Sequence, residues 1–327
     1  MLGITAPGAM GPDLTLPLKG KVAKVLFEEL RPEANPGGPA GSVIQSKETT
    51  YDGEGRPTEE IQDYGAKTVT VIRYDGDKLM SREATIPAKK DGPKYWDYFT
   101  YNSSGKLGEY KRGQGDEIQN HELNFKRDAE GRLLGYEYRQ GATDSLFRTT
   151  QFSYSADGAT YSKTETDSSG DTLSITTYSL DKNGDVVRVV LQQRNWKTKT
   201  LEKPITVNLR HDARRRLVEQ ITVDPEFEPA GSENSLPPGT VTIAYDDDKH
   251  TKTTTYSGKL GAISSTVVHA VDGTPVSQSI TTAGRSLSTK LDYKYDSQGN
   301  WTACQLLATN SGVTKVTKVW RQTITYR

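Results

Sequence analysis

Along most of this chain large and polar residues alternate one for one, and short polar bends break the alternation at regular intervals. In Leu291-Asp292-Tyr293-Lys294-Tyr295 every second side chain is large, which is the period of a strand with one buried face. Asp296-Ser297-Gln298-Gly299 then predicts a tight turn, since Asp accepts hydrogen bonds from the turn backbone and Gly adopts the positive φ that other residues resist. Asn300-Trp301 begins the next strand.

The same module recurs. The residues preceding the bends are Tyr51, Tyr74, Tyr101, Arg127, Tyr154, Leu180, His211, Tyr245, His269 and Tyr295, spaced by about 27 positions, the range of repeat arrays. The position two before each of these anchors is always aromatic, β-branched or Leu, as in Phe99, Phe125 and Phe152. Eight of the ten residues after the anchors are Asp or Asn, and seven repeats put Gly four after the anchor. Each period holds two strands and two reversals, so the pattern predicts an all-β fold: a long, twisted antiparallel meander of roughly 20 strands built from hairpin repeats. Residues 1–20, rich in Pro and Gly, read as a flexible N-terminal arm. The array covers 21–327, with Lys21–Leu30 as an opening strand, a long loop or hinge at 224–239, and Val319–Arg327 as a final strand capping the sheet edge.

Composition adds exclusions. Lys plus Arg and Asp plus Glu are 42 each, so no net field recruits nucleic acid. No apolar run is long enough for a transmembrane segment, and no export signal opens the chain. Cys304 is alone and reads as structural. The four histidines, His121, His211, His250 and His269, are never three to five positions apart, which disfavours a local metal site, and two stand at anchors, where packing is expected. Acidic turns such as Asp181-Lys-Asn-Gly-Asp185, Asp75-Gly-Asp77 and Asp246-Asp-Asp248 lack the spacing of an EF-type calcium loop and read as turn formers. No nucleophile, phosphate-loop or dinucleotide motif occurs, so neither enzyme activity nor a cofactor is expected; a cleft using one of the four histidines is the weakest alternative. The candidate binding residues are aromatic: Trp96 and Tyr98 on one strand face, and Tyr136 and Tyr138 as a second pair. Each is flanked by polar groups in the way sugar rings are held, and cross-strand packing is the competing role for each.

Tyr51-Asp52-Gly53-Glu54-Gly55-Arg56, Arg127-Asp128-Ala129-Glu130-Gly131-Arg132-Leu133 and Tyr295-Asp296-Ser297-Gln298-Gly299-Asn300-Trp301 resemble the YD repeat, also called the RHS repeat, and the resemblance spans roughly residues 42–327. It implies a small bacterial YD-repeat protein, secreted or in the cell envelope, related to the repeats of polymorphic-toxin shells and teneurins. The toxins' self-cleaving segment and C-terminal toxin domain are not recognised in the chain. Roughly 20 strands spaced ~4.8 Å apart give a strip of ~100 Å, which rolled up is ~30 Å across and too narrow for a ~100-residue cargo of radius ~13 Å. The expected function is therefore a non-enzymatic binding or scaffolding module presenting its sheet to a glycan or protein partner. The alternative is a shell segment of a toxin assembly that encloses a passenger together with other chains.

Overall fold

The computed structural model of the protein describes residues 18–32, 41–89, 92, 94–141, 143–195, 197–223, 239–258, 261–271, 273–282, 285–310 and 312–327. Its strands, in chain order, are β1 Val22–Leu30, β2 Val43–Tyr51, β3 Pro57–Asp63, β4 Lys67–Asp75, β5 Lys78–Thr85, β6 Tyr95–Tyr101, β7 Leu107–Gln114 and β8 Glu117–Arg127. They continue as β9 Leu133–Gln140, β10 Ser145–Tyr154, β11 Thr160–Asp167, β12 Thr172–Leu180, β13 Val186–Gln193, β14 Ile205–His211 and β15 Leu217–Val223. The last are β16 Gly239–Asp246, β17 Thr251–Gly258, β18 Gly261–His269, β19 Pro275–Thr282, β20 Arg285–Tyr295, β21 Trp301–Asn310 and β22 Val313–Tyr326. Lys21–Leu30 is thus extended, as expected. The arm expected over 1–20 lies outside the described residues except for Leu18–Gly20, and the loop expected at 224–239 does so except for Gly239.

The chain divides into two compact units, one of residues 1–94, 244–254 and 263–327, the other of 95–243 and 255–262. In the second, β6 to β9 and β9 to β15 follow one another as antiparallel neighbours. In the first, β19 to β22 do the same, as do β2 to β5. Here the open strip is corrected. β1 pairs with β2 on one edge and with β22 on the other, Phe27 lying opposite both Lys47 and Gln322. All strands belong to one sheet of 22, which therefore closes on itself as a β-barrel in its hydrogen-bond topology; β22 joins the first strand and caps no edge. The physical reason is burial: Val25, Leu30, Val319 and Trp320 along this seam are all under 9% exposed, and an open edge would return them to water.

The bends form as the repeat demands. Asp52 Oδ1 accepts from the backbone N–H of Glu54 and Arg56 at 2.9 and 3.0 Å, while Gly55 N–H donates to the Asp52 carbonyl. This is a three-residue loop with a left-handed final position, and the ladder shifts register at Tyr51, the anchor itself. All seven glycines of the column have φ between 70° and 88°. The His211 repeat puts Arg215 there at φ 63°, and its guanidinium reaches the neighbouring bend, donating to Asp185 at 2.7–3.1 Å and to the Asn183 carbonyl at 3.1 Å. Asp167 makes the same bend, bonded to Ser169 and Asp171 N–H, at the reversal between β11 and β12.

The bend carboxylates carry a pH signature. The Arg56 backbone N–H, and then its side chain, hold the Asp52 carboxyl below its ordinary 3.8, the Arg216 backbone does so for Asp212, and the Tyr326 hydroxyl does so for Asp296. A depressed folded-state pKa stabilises the fold fully above the unfolded-state value and ceases to do so as pH falls through the folded one. Urea unfolding midpoints should therefore be flat from about pH 7 to pH 5 and fall below about pH 4. A midpoint that stays level to about pH 2.5 would contradict these bonds.

Candidate functional site

The four expected binding aromatics do not form one platform. Tyr98 lies opposite Lys111, which lies opposite His121, whereas Phe99, Tyr110, Glu122 and Tyr138 form the adjoining row. Trp96 and Tyr98 therefore occupy one face of the sheet and Tyr136 and Tyr138 the other. Trp96 stacks on Tyr98 with ring centroids 4.9 Å apart, donates its indole N–H to the Gly115 carbonyl at 2.8 Å, and packs so closely on Gly113 that any Cβ there would meet the ring. Tyr136 stacks on Phe125 at 5.1 Å, while Tyr138 bonds Asn120 at 2.6 Å beneath the Arg148 guanidinium. Trp96, Tyr136 and Tyr138 thus each meet a residue of a neighbouring strand or hairpin, while Tyr98 stacks along its own strand.

His121, buried on β8, faces Glu109 with Nε2 and Asp144 with Nδ1, both at 2.9 Å. Each ring nitrogen is thus engaged by a carboxylate. Burial pushes the Glu109 carboxyl up, but hydrogen bonds from Lys111 and His121 outweigh it and hold it below the usual range. The arrangement is a hydrogen-bonded clasp joining β7, β8 and the bend before β10. Cys304 is fully buried among Leu291, Trp301, Leu306 and Trp320, and burial pushes its thiol up to about 12, so it carries no thiolate chemistry. Among the described residues no cluster of three or more His, Cys, Asp or Glu fits a metal ion.

One feature that can hold a ligand lies in the first unit, beside that same apolar core. It is a pocket of about 170 Å³. Half its wall is apolar, from Leu18, Val25, Phe27, Pro57 and Trp301, and half is polar, from Lys47, Thr49, Tyr51, Glu60 and Gln322. Phe27 meets Trp301 edge to face at 6.2 Å. Lys47 and Glu60 neutralise each other at 2.7 Å. Burial, and then the charge of Glu60, push the Tyr51 phenol up, so it faces the pocket as a neutral hydroxyl. Gln322 is 6% exposed, and its Oε1 has no hydrogen-bond partner. Asn300 fixes Leu18 beside the pocket by accepting from the Lys19 N–H at 2.7 Å and donating to the Lys19 carbonyl at 2.8 Å.

Sequence reasoning missed this site because its walls come from opposite ends of the chain. Tyr51 stood in the anchor column and Trp301 in the last repeat, yet nothing local joins them. The available signal was Gln322, a polar residue between Trp320 and Ile324 on the apolar side of an alternating strand.

No protein-family model matches the chain, and no curated protein matches it, so the Tyr-Asp-x-x-Gly resemblance stands on its own residues. Among solved structures, the chain is similar to a porin-like protein from Bacteroides uniformis, with 12% identity over 94% of this chain and 98% of that one and a TM-score of 0.33. It is similar to a porin-like protein from Bacteroides vulgatus, at 13% identity, the same two coverages and a TM-score of 0.24. A third likeness is to the Photorhabdus luminescens Tc holotoxin pore, at 11% identity over 90% of this chain and a TM-score of 0.33; there the chain spans only 19% of its counterpart. No functional residue transfers at this distance.

Two substitutions separate the site from the clasp. Replacing Gln322 by Leu removes a buried acceptor that lacks a partner, so Gln322→Leu should raise the unfolding free energy by about 1–3 kcal/mol in urea titrations. His121→Leu removes a buried ring hydrogen-bonded to Glu109 and Asp144 and should lower it by about 1–3 kcal/mol. A destabilised Gln322→Leu would mean that Oε1 is satisfied in solution, and an unchanged His121→Leu that the clasp contributes nothing.

Proposed function

We propose that the protein is a non-enzymatic binding module of a bacterial envelope or secreted system and that it takes a glycan in the pocket beside Trp301. The observation that carries this reading is a pocket walled half by aromatic and aliphatic side chains and half by Lys47, Thr49, Tyr51, Glu60 and Gln322. Such a lining suits a ligand with apolar ring faces and hydroxyl edges. The resemblance to YD repeats supports the envelope or secreted setting.

Two further features favour binding over catalysis or a shell role. Two groups able to do chemistry are occupied: both nitrogens of His121 face carboxylates, and Cys304 is sealed in the core. Both edges of β1 are already paired, which leaves that strand no ladder to offer another chain of a shell. Both faces of β7 carry charge, Glu109 and Lys111 on one and Arg112 on the other, so this part of the sheet offers no lipid-facing band.

Glycan-array screening followed by calorimetric titration tests the proposal. Saturable binding is expected, with the glycan recovered chemically unchanged after prolonged incubation and with Tyr51→Ala weakening affinity at least about tenfold, or about 1.4 kcal/mol. Glycan cleavage by the purified protein, or binding indifferent to Tyr51, would overturn it.

A further inference from the structure

Resting on the binding reading above, we infer that the pocket is a subsite for one uncharged pyranose ring, the terminal unit of a glycan. Size sets the number of rings. A cavity of about 150 Å³ accommodates a single benzene ring. The pocket's volume of about 170 Å³ is of that order, and a second ring has no room within it.

Polarity sets the kind of ring. A purely apolar ring would satisfy Phe27 and Trp301 but leave the polar half of the wall facing carbon. A pyranose meets both demands. Its C–H face lies against the aromatic wall, and its equatorial hydroxyls face the polar half. The Tyr51 hydroxyl and Thr49 stand on the polar side for further hydroxyls.

Charge sets the absence of a carboxylate. Lys47 is the pocket's cation, and Glu60 already binds it at 2.7 Å. A hexuronate entering here would displace Glu60 or lie beside it, with like charges a few ångströms apart and partly buried. The pair leaves the site neutral overall, and a neutral ligand needs no counter-charge.

The test is a matched panel titrated by calorimetry or saturation-transfer NMR: methyl hexopyranosides, the corresponding methyl hexuronates, and a benzyl alcohol control. The neutral glycosides are expected to bind at least fivefold more tightly than the uronates and than benzyl alcohol. Tyr51→Phe, which keeps the ring and removes only the hydroxyl, should reduce glycoside binding at least fivefold. Glu60→Gln should free Lys47 and improve uronate binding at least fivefold, a gain that misfolding cannot mimic. Tighter binding of uronates or of benzyl alcohol by the unaltered protein would overturn the ligand class and leave a binding module in place. If no carbohydrate of the panel or of a glycan array binds, both the class and the binding reading fall.

Discussion

The structure depends on the pairing of β1 with β22. A strand at a sheet edge exposes a row of unpaired N–H and C=O groups, and a meander ordinarily has two such edges. Here the opening strand occupies both. Its ladder runs from Val22 opposite Tyr326 to Leu30 opposite Val319, and Glu28 and Arg321 join across it at 2.7 Å. The polar ladder supplies register more than net energy, since chain–water bonds are exchanged for chain–chain bonds. The drive is apolar: Val25, Leu30, Val319 and Trp320 are each worth about 1.5–3 kcal/mol when fully buried.

Closure explains why a chain with so few large apolar residues holds together. Elsewhere most strand positions are only half-buried, and the stabilising units are cross-strand pairs such as Tyr161 on Tyr178 at 4.5 Å, with the bends fixed by side-chain acceptors. Such a sheet is stable strand by strand but has one concentrated core, Leu291, Trp301, Cys304, Leu306 and Trp320, at the place where the ends meet. The bends fix register repeat by repeat, and the seam fixes it for the circuit.

The local part of this architecture is written in the sequence and the global part is not. Asp52, Asp128, Asp212 and Asp296 accept the turn N–H groups that the Asx column implied, and the column's glycines take the left-handed conformation. Those are interactions within five residues. Arg215 shows where the pattern was too strict: a non-glycine can hold the left-handed position when its side chain clasps Asp185. Closure could not be read, because the pairing of residue 27 with residue 322 leaves no periodic trace. For the same reason nothing local pointed to Trp301, which meets Phe27 from the other end of the chain.

That origin ties binding to folding. Val25, Phe27 and Tyr51 come from the first two strands, and Trp301 and Gln322 from the last two, so the pocket exists only while β1 and β22 are paired. A ligand bound there binds the closed sheet and not the opened one, and by mass action it stabilises closure by RT ln(1 + [L]/Kd), about 2.7 kcal/mol at a hundredfold excess over Kd. The unpartnered Gln322 Oε1 acts in the opposite sense, as a buried acceptor without a donor in the seam. The closing seam is therefore also the part of the molecule whose stability a ligand in this pocket would set most directly, with Lys19 and Asn300 drawing Leu18 to the same place.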